Sequence, residues 1–195
     1  MKKVLSVLFA AVCVTSSFAQ SEKQLLTQEF YFIKEIAVTT YEGQNFRYEI
    51  AVQTENPSDI TIQGIPHIQG KKEAQESNFK VETRKEQEWT IYTVIGTVPS
   101  KATGISFYAA VNKGKFYFDD VSFYVEKVPG QWKQIRLYNH SFEETTPDIF
   151  AGYLVNKRES GTLKTGLAKD VYKTGNYSLF VEVANDNSKK FAIAK

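Results

Sequence analysis

Sulfur is all but missing from this chain of 195 residues: it has one cysteine, Cys13, and one methionine, Met1. Both lie before residue 20, so residues 20–195 can form no disulfide, offer no thiol nucleophile and supply no thiolate metal ligand. Stability must then come from a packed core, and about 176 residues suffice, since chains near 150 residues bury roughly 70% of their surface. An excess of either charge is equally absent. Lys and Arg number 24 against 22 Asp and Glu, and loss of Lys2 and Lys3 with a cleaved leader would bring the two to parity. Lys71-Lys72 and Lys189-Lys190 are isolated pairs; with no long basic run, no nucleic-acid partner is expected. Amphipathic helix of more than two turns is missing too. The apolar residues 4–14 fall well short of the about 20 needed for a membrane span.

What residues 1–19 do resemble is an export leader. Lys2 and Lys3 form a charged start, residues 4–14 an apolar stretch, and Ser17-Phe18-Ala19 the small residues of a cleavage site. This predicts a secreted, periplasmic or cell-surface protein. Cys13 offers a lipid-anchor alternative, disfavoured because Val12 is a poor residue to precede a lipidated cysteine.

Beyond the leader the chain reads as strands. Residues 45–54 alternate most cleanly: Phe46, Tyr48, Ile50 and Val52 face one way, and Arg47, Glu49, Ala51 and Gln53 the other. That pattern predicts one buried and one wet face. Strands are also expected at 30–38, 79–83, 89–98, 105–111, 114–126, 135–138, 177–183 and 191–195, with a short segment at 60–62. In 89–98, Trp89, Ile91 and Ile95 lie opposite Tyr92 and Val94, with Trp89 expected in the core. The polar, Gly-containing residues 64–78 read as a loop. Short strands at about ten-residue spacing, broken by Gly, Pro and Asn turns, predict an all-β antiparallel β-sandwich.

Residues 114–126, GKFYFDDVSFYVE, carry an anomaly. Strand neighbours point to opposite faces, so Asp119 and Asp120 cannot both reach solvent from a regular two-layer sandwich. One must sit at a bulge or rim, cap a turn, or hold a cation.

Trp89-Thr90-Ile91-Tyr92, Val98-Pro99, Ala102 and residues 116–123 with their Asp-Asp-Val-Ser resemble the second half of a family 4/9-type carbohydrate-binding module. Residues 137–144, ending Ser141-Phe142-Glu143-Glu144, and residues 173–179 are similar to the first third of such a module, with His140 replacing the usual Gly. The resemblance implies a jelly-roll-like sandwich of the galactose-binding-like class. It also divides the chain: 20–128 as the back half, 129–133 as a linker, and 134–195 as the front third. The last part either completes the sandwich, as a circular permutation would, or begins a truncated second copy. Docking is favoured physically, because residues 132–195, about 64 in all, are marginal alone and an undocked strand 177–183 would be an open edge.

The resemblance further implies a structural Ca²⁺ joining Glu143 to Asp119 or Asp120, hard oxygen ligands of the kind calcium takes. For a glycan, the face opposite the expected core offers Arg47, Glu49, Gln53, Tyr92 and Tyr108, planar polar groups beside aromatic contact area. Trp132 is either a stacking residue or a plug between segments. No catalytic set stands out. His140 and Ser141 are adjacent, as are Glu143 and Glu144, and neighbours cannot serve one site as nucleophile and base or as a spaced acid/base pair. The expected function is therefore an exported, non-catalytic carbohydrate-binding protein or module with a polysaccharide or glycan as partner. The alternatives are a ligand-free structural or adhesion sandwich, and the accessory region of a secreted hydrolase (erythromycin-esterase-like or processing-type peptidase) whose catalytic domain lies elsewhere.

Overall fold

β-Branched and aromatic residues alternate with polar ones through most of the chain, and that alternation becomes two antiparallel sheets. A computed structural model describes residues 29–55, 57–71, 79–144, 148–157 and 163–184. In chain order the strands are β1 (Phe30–Ala37), β2 (Asn45–Thr54), β3 (Ile60–Ile68), β4 (Lys80–Glu86), β5 (Trp89–Thr97), β6 (Ala102–Val111), β7 (Gly114–Val128), β8 (Gln131–Ile135), β9 (Leu154–Lys157), β10 (Leu163–Ala168) and β11 (Ser178–Val183). The first sheet has the order β3-β6-β1-β9; the second runs β10-β11-β7-β2-β5-β4, with β8 also paired to β7. Among the described residues there is no α-helix, only a 3-10 turn at Pro57–Asp59. The protein is an all-β sandwich, as its alternation predicts.

Inward residues of both sheets meet as a single core. Phe32 of β1 meets Phe118 of β7 edge-on at 5.0 Å, and Tyr48 of β2 stacks on Phe107 of β6 at 4.1 Å. All four rings are buried. Burying such a side chain contributes about 1.5–3 kcal/mol, so the many residues of this kind account for stability without disulfides.

β7 is the spine. One of its edges pairs with β2; the other is shared, with β11 along 114–118 and β8 along 123–128. Its buried positions change parity in the middle, from Phe116 and Phe118 to Val121, Phe123 and Val125. The register explains how: Glu49 pairs with Ser122 and Ala51 with Asp119, leaving Asp120 and Val121 together opposite Ile50. This is a β-bulge, and Asp120 takes the left-handed conformation at φ +49°. The aspartate pair is thus the point where the strand changes face.

Several expectations need correction. Residues 64–68, read as loop, are the second half of β3. Gly64 is there because the Phe79 ring occupies its side-chain space: an added Cβ would lie 3.0 Å from Phe79 at Gly64 and 2.4 Å from it at Gly96. Pro66 is tolerated because β3 is an edge strand. Residues 129–133, read as a linker, form a tight hairpin and the start of β8, with Gly130 N–H donating to Glu126 at 2.6 Å. The strand expected at 135–138 is β8, earlier in sequence. The polar stretch after Glu144 contains β9 and β10, which pair with β1 and β11. Residues 154–183 therefore contribute strands to both sheets. The expected leader at 1–19, Cys13 and the strand expected at 191–195 lie outside the described residues.

Candidate functional site

Alternation in β2 sends Arg47, Glu49, Ala51 and Gln53 to the outer face of the second sheet, and register aligns other outward residues beside them. Tyr124 of β7 pairs with Arg47 on one side and with Gln134 of β8 on the other. Trp132 stands one row along, opposite Glu126. The Arg47 guanidinium lies over Tyr124 at 4.5 Å and over Trp132 at 5.2 Å. Trp132 keeps 38% of its surface exposed, so it is not a plug between segments.

From Arg47 a chain of alternating charges crosses the sheet. Arg47 Nε is 3.3 Å from Glu49 Oε1, and the same oxygen accepts from Arg84 Nη1 at 2.9 Å. Arg84 Nε reaches Glu86 at 2.9 Å, Glu86 reaches Lys173 Nζ at 3.2 Å, and Lys173 reaches Asp120 at 3.2 Å. Three cations thus alternate with three carboxylates. Hydrogen bonding to Glu49 raises the Arg84 pKa, and hydrogen bonding from Arg84 lowers that of Glu86. Burial pulls Lys173 down, but its bonds to Glu86 and Asp120 outweigh that and raise it. Exposed pairs of this sort contribute at most about 1 kcal/mol each; their larger effect is to fix planar groups in place. From Glu49 to Asp120 the chain lines a cleft of about 340 Å³ whose wall includes Tyr124, Gln134 and His140. His140 also lines a second hollow of about 430 Å³ formed by the turn at residues 136–144.

Asp119 points outward beside this cleft yet is fully buried, because the segment before β11 lies over it. Its carboxylate accepts from Asp120 N and Lys173 N, both at 2.7 Å, and from Thr174 N at 3.1 Å. Burial, only partly offset by those donors, pushes Asp119 up from 3.8 to about 6. Thr174 also bonds Asp120 through its hydroxyl. Glu143 grips the same segment, accepting from Asn176 N at 2.8 Å and Tyr177 N at 3.0 Å. Gly175 (φ +72°) is required there, since a Cβ would lie 2.3 Å from Glu143 Oε1. Asp119, Asp120 and Glu143 therefore converge on one segment, and N–H and ammonium donors face their oxygens. Among the described residues no group of three or more acidic, His or Cys side chains is arranged to hold a metal ion.

The five residues expected to bind a glycan are not all brought together. Arg47 and Glu49 are in contact, and Gln53 lies farther along the same face, bonded to Glu88 at 3.1 Å. Tyr92 is a correction: it packs against the main core, and burial raises its hydroxyl pKa. On β5 it is Val94 that joins the main core, whereas Trp89 and Ile91 are buried on the outer face with Ala51, Tyr117 and Val171. Tyr108 is a second correction: it lies on the other sheet, beside Tyr31 at 6.0 Å. Sequence reasoning missed Arg84, Glu86, Lys173 and Tyr124. Outward parity of residue 124 after the bulge was a usable signal; the charge partners depend on register.

On the first sheet, Ser106 Oγ lies 2.7 Å from His67 Nε2 and donates to Glu35 at 3.4 Å. Ser106 is 1% exposed, so this hydroxyl is no accessible nucleophile. Fold and surface together define an antiparallel β-sandwich with an open, polar-aromatic outer sheet face. No family model matches the chain, and neither a curated protein nor a solved structure matches it.

Proposed function

We propose that this protein binds carbohydrate without transforming it, on the outer face of the second sheet. The observation that carries this reading is the exposed Trp132, which shares the Arg47 guanidinium with Tyr124, itself part of the wall of a cleft lined by fixed polar side chains. Sugar rings present C–H faces that aromatic rings cover well, and hydroxyls that guanidinium, carboxylate and amide groups can bond in both directions. The cleft is open to solvent, and His140 also lines the neighbouring hollow. An export leader at residues 1–19 would bring such a surface to extracellular polysaccharide. The reading requires no cation.

Affinity electrophoresis in gels containing soluble polysaccharides tests it. The native protein is expected to be retarded by at least one, and both Trp132→Ala and Tyr124→Ala to lose that retardation at least tenfold. Tyr108→Ala, on the opposite sheet, is expected to bind as the native protein does. Absence of retardation by every polysaccharide, or full retention by Trp132→Ala, would reject the reading and favour a ligand-free structural sandwich.

A further inference from the structure

Glu49 stands out within the charged chain. Its side chain is 12% exposed, and one of its oxygens faces two guanidiniums, Arg47 and Arg84, which are themselves 34% and 48% exposed. Arg84 Nη1 also donates to Thr93 at 3.4 Å. It donates to the Glu49 oxygen at 2.9 Å, while Arg47, stacked over Tyr124 and Trp132, approaches that oxygen as an ion pair and its buried Nε makes no hydrogen bond. Two cations converging on one point suit a carboxylate, and Arg47 keeps a donor unspent. Here the protein's own side chain fills that point. The six members of the chain, three cations and three carboxylates, sum to zero charge.

We propose that Glu49 is a built-in surrogate for a ligand carboxylate, and that it restricts the cleft to uncharged ligands by occupying the position between Arg47 and Arg84 that an acidic sugar would take. This rests on the glycan-binding reading above. With Glu49 in place, an incoming uronate meets a carboxylate already there, and like charges at such range repel while no cation is left uncompensated. Without it, Arg47 and Arg84 face an open space sized for one carboxylate, and the surface carries an excess positive charge.

Removal of that side chain tests the inference. Glu49→Ala is expected to gain at least 3 °C in melting temperature from 20 mM galacturonate, and a smaller gain from acetate, but none from galactose, because a ligand that binds only the folded state stabilises it. The native protein is expected to show no such response. Glu49→Gln, which keeps most of the volume, guards against a variant that folds poorly; in affinity gels it is expected to become retarded by polygalacturonate, with the retardation falling as salt rises. Retardation of the native protein by acidic polysaccharides alone would overturn the surrogate role and leave glycan binding standing. Failure of both Glu49 variants, folded by their melting transitions, to respond to galacturonate or polygalacturonate would overturn it equally. Absence of native binding to any polysaccharide would instead remove the reading on which it rests.

Discussion

Replacing Asp119 by Asn should change the way stability depends on pH, and the size of the effect follows from the site. Burial raises the Asp119 carboxyl from 3.8 to about 6, against the opposing pull of the Lys173, Thr174 and Asp120 amides. A folded-state value above the unfolded one means that the folded chain holds the proton more tightly. Its stabilising contribution is complete below about pH 4, declines as the unfolded carboxyl ionises first, and is gone once pH passes about 6. At about 1.4 kcal/mol per pH unit, that interval corresponds to about 3 kcal/mol. Asn cannot titrate, so Asp119→Asn should lack this decline. The stability difference, variant minus native, should therefore shift by about 3 kcal/mol in the variant's favour between pH 3 and pH 7. Urea unfolding followed by tryptophan fluorescence at half-unit pH steps measures it. Parallel profiles would refute the reasoning, and a shift of opposite sign would mean that the three amides hold the carboxylate ionised more strongly than burial opposes it.

Other perturbations test other parts of the fold. Lys34 is 4% exposed, donates to the Tyr138 and Gly152 carbonyls at 2.6 and 3.0 Å, and burial lowers it from 10.5 to about 8. The fold favours the neutral amine, so native stability should rise by up to about 3 kcal/mol between pH 8 and 10.5, a gain that Lys34→Met should lack in urea titrations at the two ends. Gly96→Ala should cost about 1–3 kcal/mol through overpacking against the Phe79 ring, seen as a lower urea midpoint; an unchanged midpoint would show that the ring moves aside at no cost. Gly175→Ala combines left-handed strain with a clash on Glu143 and should lower the melting temperature by several degrees, with hydrogen exchange rising at residues 173–177. Because N–H and ammonium groups face Asp119, Asp120 and Glu143, EDTA should leave the melting temperature unchanged; a fall that added Ca²⁺ reverses would place a cation among them.

Local pattern carried the fold a long way. The faces of β2 are as its alternation predicts, and the parity change from Phe118 to Val121 forces an extra residue at the aspartates. Pattern alone could not decide which face of β5 turns inward. Trp89 and Ile91 look like core residues, and they are buried, but under Val171 and Tyr117 rather than between the sheets. A cover that arrives about eighty residues later leaves no mark on the local sequence, so local pattern places Tyr92 on the wrong side. Tyr108 failed for a related reason: being outward on its own strand does not say which of two sheets that strand joins. Gly64 and Pro66 carry loop chemistry, yet Phe79 and an edge position make them a strand. The charged cleft was legible only in part, because Glu49 meets Arg84 and Glu86 meets Lys173 through register and a distant turn.

The divided edge of β7 has a consequence for biosynthesis. A growing polypeptide that has emerged only as far as Gly130 already contains β1 and β7, yet β9 and β11, the neighbours that close them, are still unmade. For that interval two hydrogen-bonding ladders stand open, each ready to recruit another molecule. A polypeptide halted near Gly130 should therefore aggregate rather than accumulate as a soluble half.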